Sequence, residues 1–549
     1  MSGDVINHEA VEVVIVGAGA GGAITALTLA EAGIGVTCLE QGTWTAPADR
    51  PHASPDWEWL RLAQFATSPN IRRWQGDYPV ETEDENTLMW NGVGGGTGIW
   101  TAAYPRFRPS DFRKGTEHGL QPDWPFTYED LEPWFDAHDA LIGVSGVQGN
   151  PGMPPRSAHW GPPVPPGPVA RLVSAGLRDL GWHHWPTDTA ILSRPKDGRP
   201  ACNCCSACQS GCSIGAMHDT AVSIWPKALA HGAELRTQAK AMRIETDRSG
   251  RATGVLYLDT ATGERHWQPA ETVVVAGNGV GTPRLLLMSA SKDHPTGLAN
   301  SSDQVGRNLM HHGLGMVEAW LPERTDIHMG NISSVYICEE FAETDPARGF
   351  VNGVTIQIVR MNGAGYQAIG SHAGFPAPWG KAHHRWFREH WGHGFAMLVI
   401  GDDLPLPDNR VTLSPTAVDA NGLPGVEIAY RLCANDRRQM DFGLARAVEI
   451  AQAANAWEIN VNDYSNHDGR GLVPAFHLMG TCRMGTDPRD SVVDARHRSW
   501  DVPNLYIMDG SVLPTGGAVN PTATISAVVM RAASLLRDSI RPAESNATN

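Results

Sequence analysis

The chain has 549 residues, with 43 Lys and Arg against 59 Asp and Glu, a formal net charge of −16. That length is enough for two or more hydrophobic cores, and the acidic balance argues against nucleic acid as a partner. No run of about 20 apolar residues occurs, so no transmembrane segment is expected. The opening MSGDVINHEAVEVV lacks a basic n-region and an apolar h-region, which reads as a cytoplasmic chain without an export signal of its own. Nine cysteines are few for the length, but five crowd between Cys202 and Cys212, unlike a spread disulfide framework.

The first ordered stretch is VVIVGAGAGGAITALTLAEAGIGVTCLE, Val13 to Glu40. An apolar strand, Val13 to Val16, runs into Gly17, Gly19 and Gly22, spaced G-x-G-x-x-G. A helix follows and ends at Gly33. Val36 to Leu39 form a second strand, with Glu40 at its end. Gly17 allows a tight turn, Gly19 lets a pyrophosphate lie on the backbone, and Gly22 lets the helix pack close to the strand. The helix N-terminus offers N–H groups to phosphates, and Glu40 is placed to accept from a ribose diol. The competing reading is a glycine-rich turn without a ligand. A second cofactor block at the far end of the chain favours FAD over NAD.

Trp90 to Trp100 contains Gly94, Gly95, Gly96 and Thr97, a loop suited to lying flat along a flavin. Residues 109 to 200 read as an insertion. Within it, Pro151 to Pro168 holds eight prolines in eighteen residues and reads as extended loop. The segment CNCCSACQSGCSIGA follows. Thiols this dense suit a soft metal centre; zinc, and free or disulfide-bonded thiols, are the alternatives. Leu235 to Tyr257 reads as two strands about a turn at Ser249-Gly250, and Thr272 to Ala276 as another buried strand. Val305 to His312 reads as a structural turn. In the next region, Val354 to Arg360, Phe395 to Ile400 and Val426 to Tyr430 suggest an antiparallel sheet. Trp379 to His393 carries His383, His384, His390 and His393. These histidines could be read as metal ligands, but the segment reads better as an aromatic helix covering the active site or a partner surface.

The last block runs Phe476-His477-Leu-Met-Gly480-Thr481, then Asn504 to Ser511, then Asn520-Pro521-Thr522, with a closing helix from Ile525 to Ile540. Asp509 and Gly510 end a strand and would lie near the pyrophosphate. Oxidising an alcohol requires its hydroxyl proton to leave as hydride departs from carbon. A neutral histidine such as His477 suits that role, and Asn520 can donate to the same oxygen. Pro521 fixes the turn and leaves the following N–H groups facing the flavin. A satisfied core histidine is the alternative for His477.

VGGGTGIWTAAYPRF, the Thr282-Pro283 and leucine run, and the His477 to Thr524 block together resemble the glucose–methanol–choline (GMC) oxidoreductases, over residues 11–107, 202–312 and 474–540. Within that family the chain is most similar to pyranose oxidases and to catalytic subunits of bacterial FAD-dependent sugar dehydrogenases. The resemblance implies an α/β fold, α+β overall. It consists of a Rossmann-like FAD-binding domain (1–108, 198–312, 470–549) interleaved with a substrate domain on an antiparallel sheet (109–197, 313–469). It implies FAD contacts from Gly17, Gly19, Gly22, Glu40, Gly95, Gly96, Thr97, Ala241, Asp509, Gly510, Asn520, Pro521 and Thr522. Ile99 stands where some pyranose oxidases carry a flavin-bonding histidine, which implies non-covalent FAD. Cys202, Cys208 and Cys212, spaced C-x5-C-x3-C, resemble a [3Fe-4S] ligand set. Cys204 or Cys205 is available as a fourth ligand for a [4Fe-4S] cluster.

The implied activity is dehydrogenation of a sugar, glycoside or polyol, with His477 as base and Asn520 as its partner. Electrons would leave through the cluster to an external acceptor. An oxidase using O2, or a flavin electron-transfer subunit without a substrate, are the competing expectations. The same likeness implies a small accessory subunit, a cytochrome, and periplasmic export carried by a partner with a twin-arginine signal.

Overall fold

The computed structural model describes residues 5–54, 56, 58, 80, 81, 89–157, 159–326, 328–332, 335–360, 363–370, 377–462 and 477–541. Phe476 lies outside them. The first layer is a mixed eight-stranded sheet. Its parallel part sets Val11–Val16 between Val36–Leu39 and Arg265–Val275, with Glu234–Arg236 beyond the first and Leu505–Ile507 on the last. Val13, Val14, Ile15, Val273, Val274 and Val275 are wholly buried, as strands covered on both faces must be. Helices Ala20–Ala30 and Thr522–Ile540 pack against each other beside it, joining the two ends of the chain in one layer. Arg265–Val275 does double duty: its first half pairs antiparallel with Ala252–Asp259, which pairs with Ala239–Thr246.

A second sheet has six strands in the order Glu458–Asn462, Gly313–Trp320, Gly394–Gly401, Val354–Val359, Tyr336–Cys338, His184–Pro186, and all its pairings are antiparallel. Helix Ala434–Ala453 buries Met440, Leu444, Ala447 and Ile450 in the core against this sheet. Two of the three expected strands belong here. The third, Pro424–Ala429, instead pairs with Arg410–Val418 and Val80–Glu81 in a separate three-stranded sheet. Period-two patterning marks a strand but does not choose its neighbour.

The proline-rich run stays irregular until Gly167, where helix Gly167–Asp179 begins. The aromatic segment does form a helix, Lys381–His390, but it meets the second sheet through His390 and Trp320, and none of its residues lines the cavity described below. His390 is buried against Trp320, Trp386 and Trp457, and His383 bonds the carbonyl of Ala368. Trp379 beside it is 94% exposed. No helix among the described residues is long and apolar enough to cross a membrane.

Candidate active site

One cavity of about 400 Å³ opens at the carboxyl ends of the parallel strands, where Val16, Leu39 and Val275 line it. Gly17, at φ +103°, makes the sharp exit from its strand, and a Cβ there would stand 2.4 Å from the Ala276 carbonyl oxygen. Gly22 does not reach the cavity. A Cβ on it would lie 1.9 Å from the Gly17 carbonyl, so it sets the helix-to-strand approach. Gly19, Gly95 and Gly96 line the cavity, and the two glycine loops touch: a Cβ on Gly95 would come within 2.9 Å of the Gly19 Cα. Backbone left bare at both loops is a cradle for a planar or phosphate-bearing ligand.

Glu40 is buried and lines the cavity. The Ala18 N–H donates to its Oε2 at 2.9 Å and the Gly42 N–H to its Oε1 at 2.8 Å. Burial raises its pKa and these amides oppose the rise. With the Gln41 amide as a third partner, the carboxylate keeps acceptor capacity for one ribose hydroxyl. The Thr97 hydroxyl donates to the Gly94 carbonyl at 2.6 Å and accepts the Thr220 N–H at 3.1 Å, so it holds the loop together. Asp509 accepts from the Asn278 N–H at 2.9 Å and the Thr282 hydroxyl at 2.5 Å, orienting the helix Asn278–Met288 at the cavity edge. Ala241, Gly510, Pro521 and Thr522 also line the cavity, with Pro521 at the N-cap of the closing helix. These residues fit FAD: a glycine cradle, an acid at the ribose position and helix N-termini at the edge.

His477 and Asn520 line the same cavity, and Asn520 Nδ2 is 3.3 Å from His477 Nε2. The Gln357 amide donates to Asn520 Oδ1 at 2.6 Å, which turns the Asn520 NH₂ toward the histidine. Burial pushes His477 down to about 4, so it is neutral and able to accept a proton at physiological pH.

Sequence reasoning missed the other side of this histidine. The segment Val305 to His312, read as a turn, places His312 Nδ1 2.8 Å from His477 Nδ1. The juxtaposition comes from backbone: Met310 and Met479 exchange N–H···O bonds at 3.1 Å in both directions, and Gly480 at φ +88° bends against Asn308. Asp403 accepts both the His311 and His312 N–H groups at 3.0 Å. Only the adjacent pair His311-His312 hinted at this in the sequence.

Cys202, Cys205, Cys208 and Cys212 line a second, apolar cavity of about 10 Å³ together with His52, Ile191 and Met217. Cys204 does not face it; its carbonyl accepts the Gly330 N–H at 2.8 Å. Burial raises Cys202 to about 12 and raises Cys208 and Cys205 as well. Among the described residues no three His, Cys, Asp or Glu side chains are placed to hold one metal ion. The four thiols share one cavity, but about 10 Å³ is the room of a single water, so an iron–sulfur cluster would fit only if the loop opened. In the short helix Cys208–Ser210, Cys208 faces this cavity and Gln209 faces the large one.

A glycine cradle on a parallel sheet, joined to a histidine–asparagine pair in one cavity, defines a dinucleotide-dependent oxidoreductase. The chain belongs to the GMC oxidoreductases: residues 11–314 match the family's N-terminal model and 405–528 its C-terminal model. It is thus an FAD-dependent enzyme of a family acting on CH–OH groups. It is 46% identical over 525 residues to 2-methyl-1,2-propanediol dehydrogenase of Mycolicibacterium austroafricanum, covering 95% of this chain and 94% of that one. It is 31% identical over 555 residues to the fructose dehydrogenase large subunit of Gluconobacter japonicus, covering 96% and 98%. Among solved structures, pyridoxine 4-oxidase from Mesorbium loti matches with TM-score 0.66 at 18% identity, covering 96% and 99%, a likeness of fold.

Proposed function

We propose that this enzyme is a dehydrogenase that oxidises one hydroxyl of a polyol, sugar or glycoside to a carbonyl, with His477 as the base. The observation that carries it is the pairing of His477 Nε2 with Asn520 Nδ2 at 3.3 Å on the wall that also holds the glycine cradle. FAD, bound non-covalently, would supply the hydride acceptor. The protein's part is to hold the hydroxyl between two fixed groups. His477 Nε2 takes its proton, while Asn520 Nδ2 donates to the same oxygen and Gln357 keeps that amide from turning over. The relatives' names support the substrate class: one is a 1,2-diol dehydrogenase and another a fructose dehydrogenase subunit, and both names describe molecules with neighbouring hydroxyls. A vicinal diol is the shared element.

The same reading assigns residues 1–108, 198–312 and 470–549 to FAD and 109–197 and 313–469 to the substrate. It places a [3Fe-4S]-type cluster on Cys202, Cys208 and Cys212, where it would supply one-electron transfer to an external acceptor. A small accessory subunit and a cytochrome are its proposed partners, with export beside that subunit as the route to the periplasm.

The test is anaerobic stopped-flow reduction of the flavin by diols, sugars and simple primary alcohols. His477→Ala should slow it by about 10² to 10⁴, the usual worth of a positioned base. Flavin content should be kept, and acid precipitation should release the flavin. Near-normal reduction in His477→Ala would reject the base. Activity on simple primary alcohols alone would reject the substrate class. Iron and labile sulfide, absent by analysis, would reject the cluster and leave the O2-using oxidase as the better reading.

A further inference from the structure

His312 is a costly residue where it stands. It is wholly enclosed and adopts φ +69°, a left-handed backbone that side chains with a Cβ seldom take. The surrounding structure enforces this. Asp403 accepts its N–H and that of His311, and also the Tyr430 hydroxyl at 2.6 Å, while the Tyr430 ring stacks on His311 at 4.2 Å. Lys114, bonded to Asp111, Asp402 and the Gly516 carbonyl, closes the far side. The result is a ring held with Nδ1 aimed at His477 and Nε2 against the Gly516–Gly517 backbone.

Donors and acceptors along this line allow one assignment. Gln357 donates to Asn520 Oδ1, so Asn520 presents its NH₂ to His477 Nε2. That nitrogen must then be a bare acceptor, and the proton of neutral His477 sits on Nδ1. A proton on His477 Nδ1 can only be donated to His312 Nδ1, at 2.8 Å, which must itself be bare. The His312 proton is left on Nε2, which lies against Gly516 and has no hydrogen-bond partner among the described residues.

Resting on the reading of His477 as base, we infer that His312 is a positioning residue: with Asn520 on Nε2, it accepts the Nδ1 proton of His477, holds that ring in place and steadies the imidazolium formed when Nε2 takes the substrate proton. The balance is simple. One proton passes from the hydroxyl to Nε2, and the proton on Nδ1 stays in the bond to His312. Removing the partner on the far nitrogen of a metal-ligating histidine costs about tenfold to a hundredfold, and a loss of that order is expected for a base held in the same way.

The experiment is long-range proton–nitrogen spectroscopy of histidine-labelled protein, with and without FAD, alongside flavin-reduction rates. The wild type should show His477 protonated on Nδ1. In His312→Leu that Nδ1 proton should lose its hydrogen-bonded shift, and flavin should be reduced about tenfold to a hundredfold more slowly, with flavin content and substrate affinity kept. His312→Asn, which tolerates a left-handed backbone and offers an acceptor oxygen, should restore both. A wild-type His477 protonated on Nε2, or a His312→Leu protein unchanged in Nδ1 shift and rate, would overturn the inference. Should His312→Leu fail to fold, the wild-type Nδ1 proton still decides, since a proton not bonded to His312 would resonate at the position of a free imidazole N–H. Failure of the base assignment is a separate event, read from His477→Ala.

Discussion

The glycines at the dinucleotide turn differ in what they tolerate. Gly22 sits inside helix Ala20–Ala30 with the Gly17 carbonyl 1.9 Å from where a Cβ would go. Gly33, at φ +70°, has nothing within 4 Å. Gly22→Ala should therefore push the helix off the strand, costing about 1–3 kcal/mol and much of the bound flavin. Gly33→Ala should cost about 1–2 kcal/mol of backbone strain and leave the flavin in place. Melting curves and flavin-to-protein absorbance ratios separate the two, and equal flavin retention would refute the packing argument. His477 makes the second case. Its sequence reading used the ordinary histidine pKa near 6.5, but burial lowers it to about 4. As the proposed base it works while neutral, so flavin reduction should be flat through the neutral range and fall as pH drops through about 4. A midpoint near the ordinary value would show His477 to be better solvated than its surroundings indicate.

At the scale of elements, two connections carry the site. The backbone exchange between Met310 and Met479 brings the segments of His312 and His477 side by side, although 165 positions separate those histidines. The cysteine loop is the other. Left-handed φ values at Cys204 and Ser206, +59° and +63°, twist it so that Cys205 turns inward with Cys202, Cys208 and Cys212. If the proposed cluster forms, Cys205→Ser should lower the iron content or change the cluster type, while Cys204→Ser should leave both alone. Iron and sulfide analysis with paramagnetic resonance of the oxidised protein checks this. A dependence on Cys204 instead would reject the cavity as the cluster's seat.

At the scale of the molecule, the flavin cavity draws walls from Gly17 and Gly19 near the start, from Ala239 to Leu285, and from His477 to Ile525 near the end. The second sheet adds Leu314 and Leu398. A ligand there ties both sheets and both ends of the chain together. Removing FAD should lower the melting temperature, and adding it back should restore it. A ligand at a hundred times its dissociation constant adds about 2.7 kcal/mol. NAD should not substitute for FAD, and recovery with NAD would contradict the assignment of this cavity.

Local chemistry was legible in the sequence where one short segment carries a whole function. The run from Val13 to Glu40 contains its own strand, turn, helix and acid, because G-x-G-x-x-G and the apolar period are local rules. The resemblance of the last block singled out His477 and Asn520, and the structure sets both on the wall of one cavity. What lay beyond reach depends on pairing between distant backbones. Periodicity marked Pro424–Ala429 as a strand but could not say that it leaves the six-stranded sheet. The sequence offered both Cys204 and Cys205, and only the twist of the loop turned one of them inward. His312 lacked a signal of its own, since its meaning comes from a ring 2.8 Å away in another segment. Tertiary structure also moved His477 from an ordinary histidine to a neutral one at every physiological pH, because desolvation is a property of the enclosure and not of the residue.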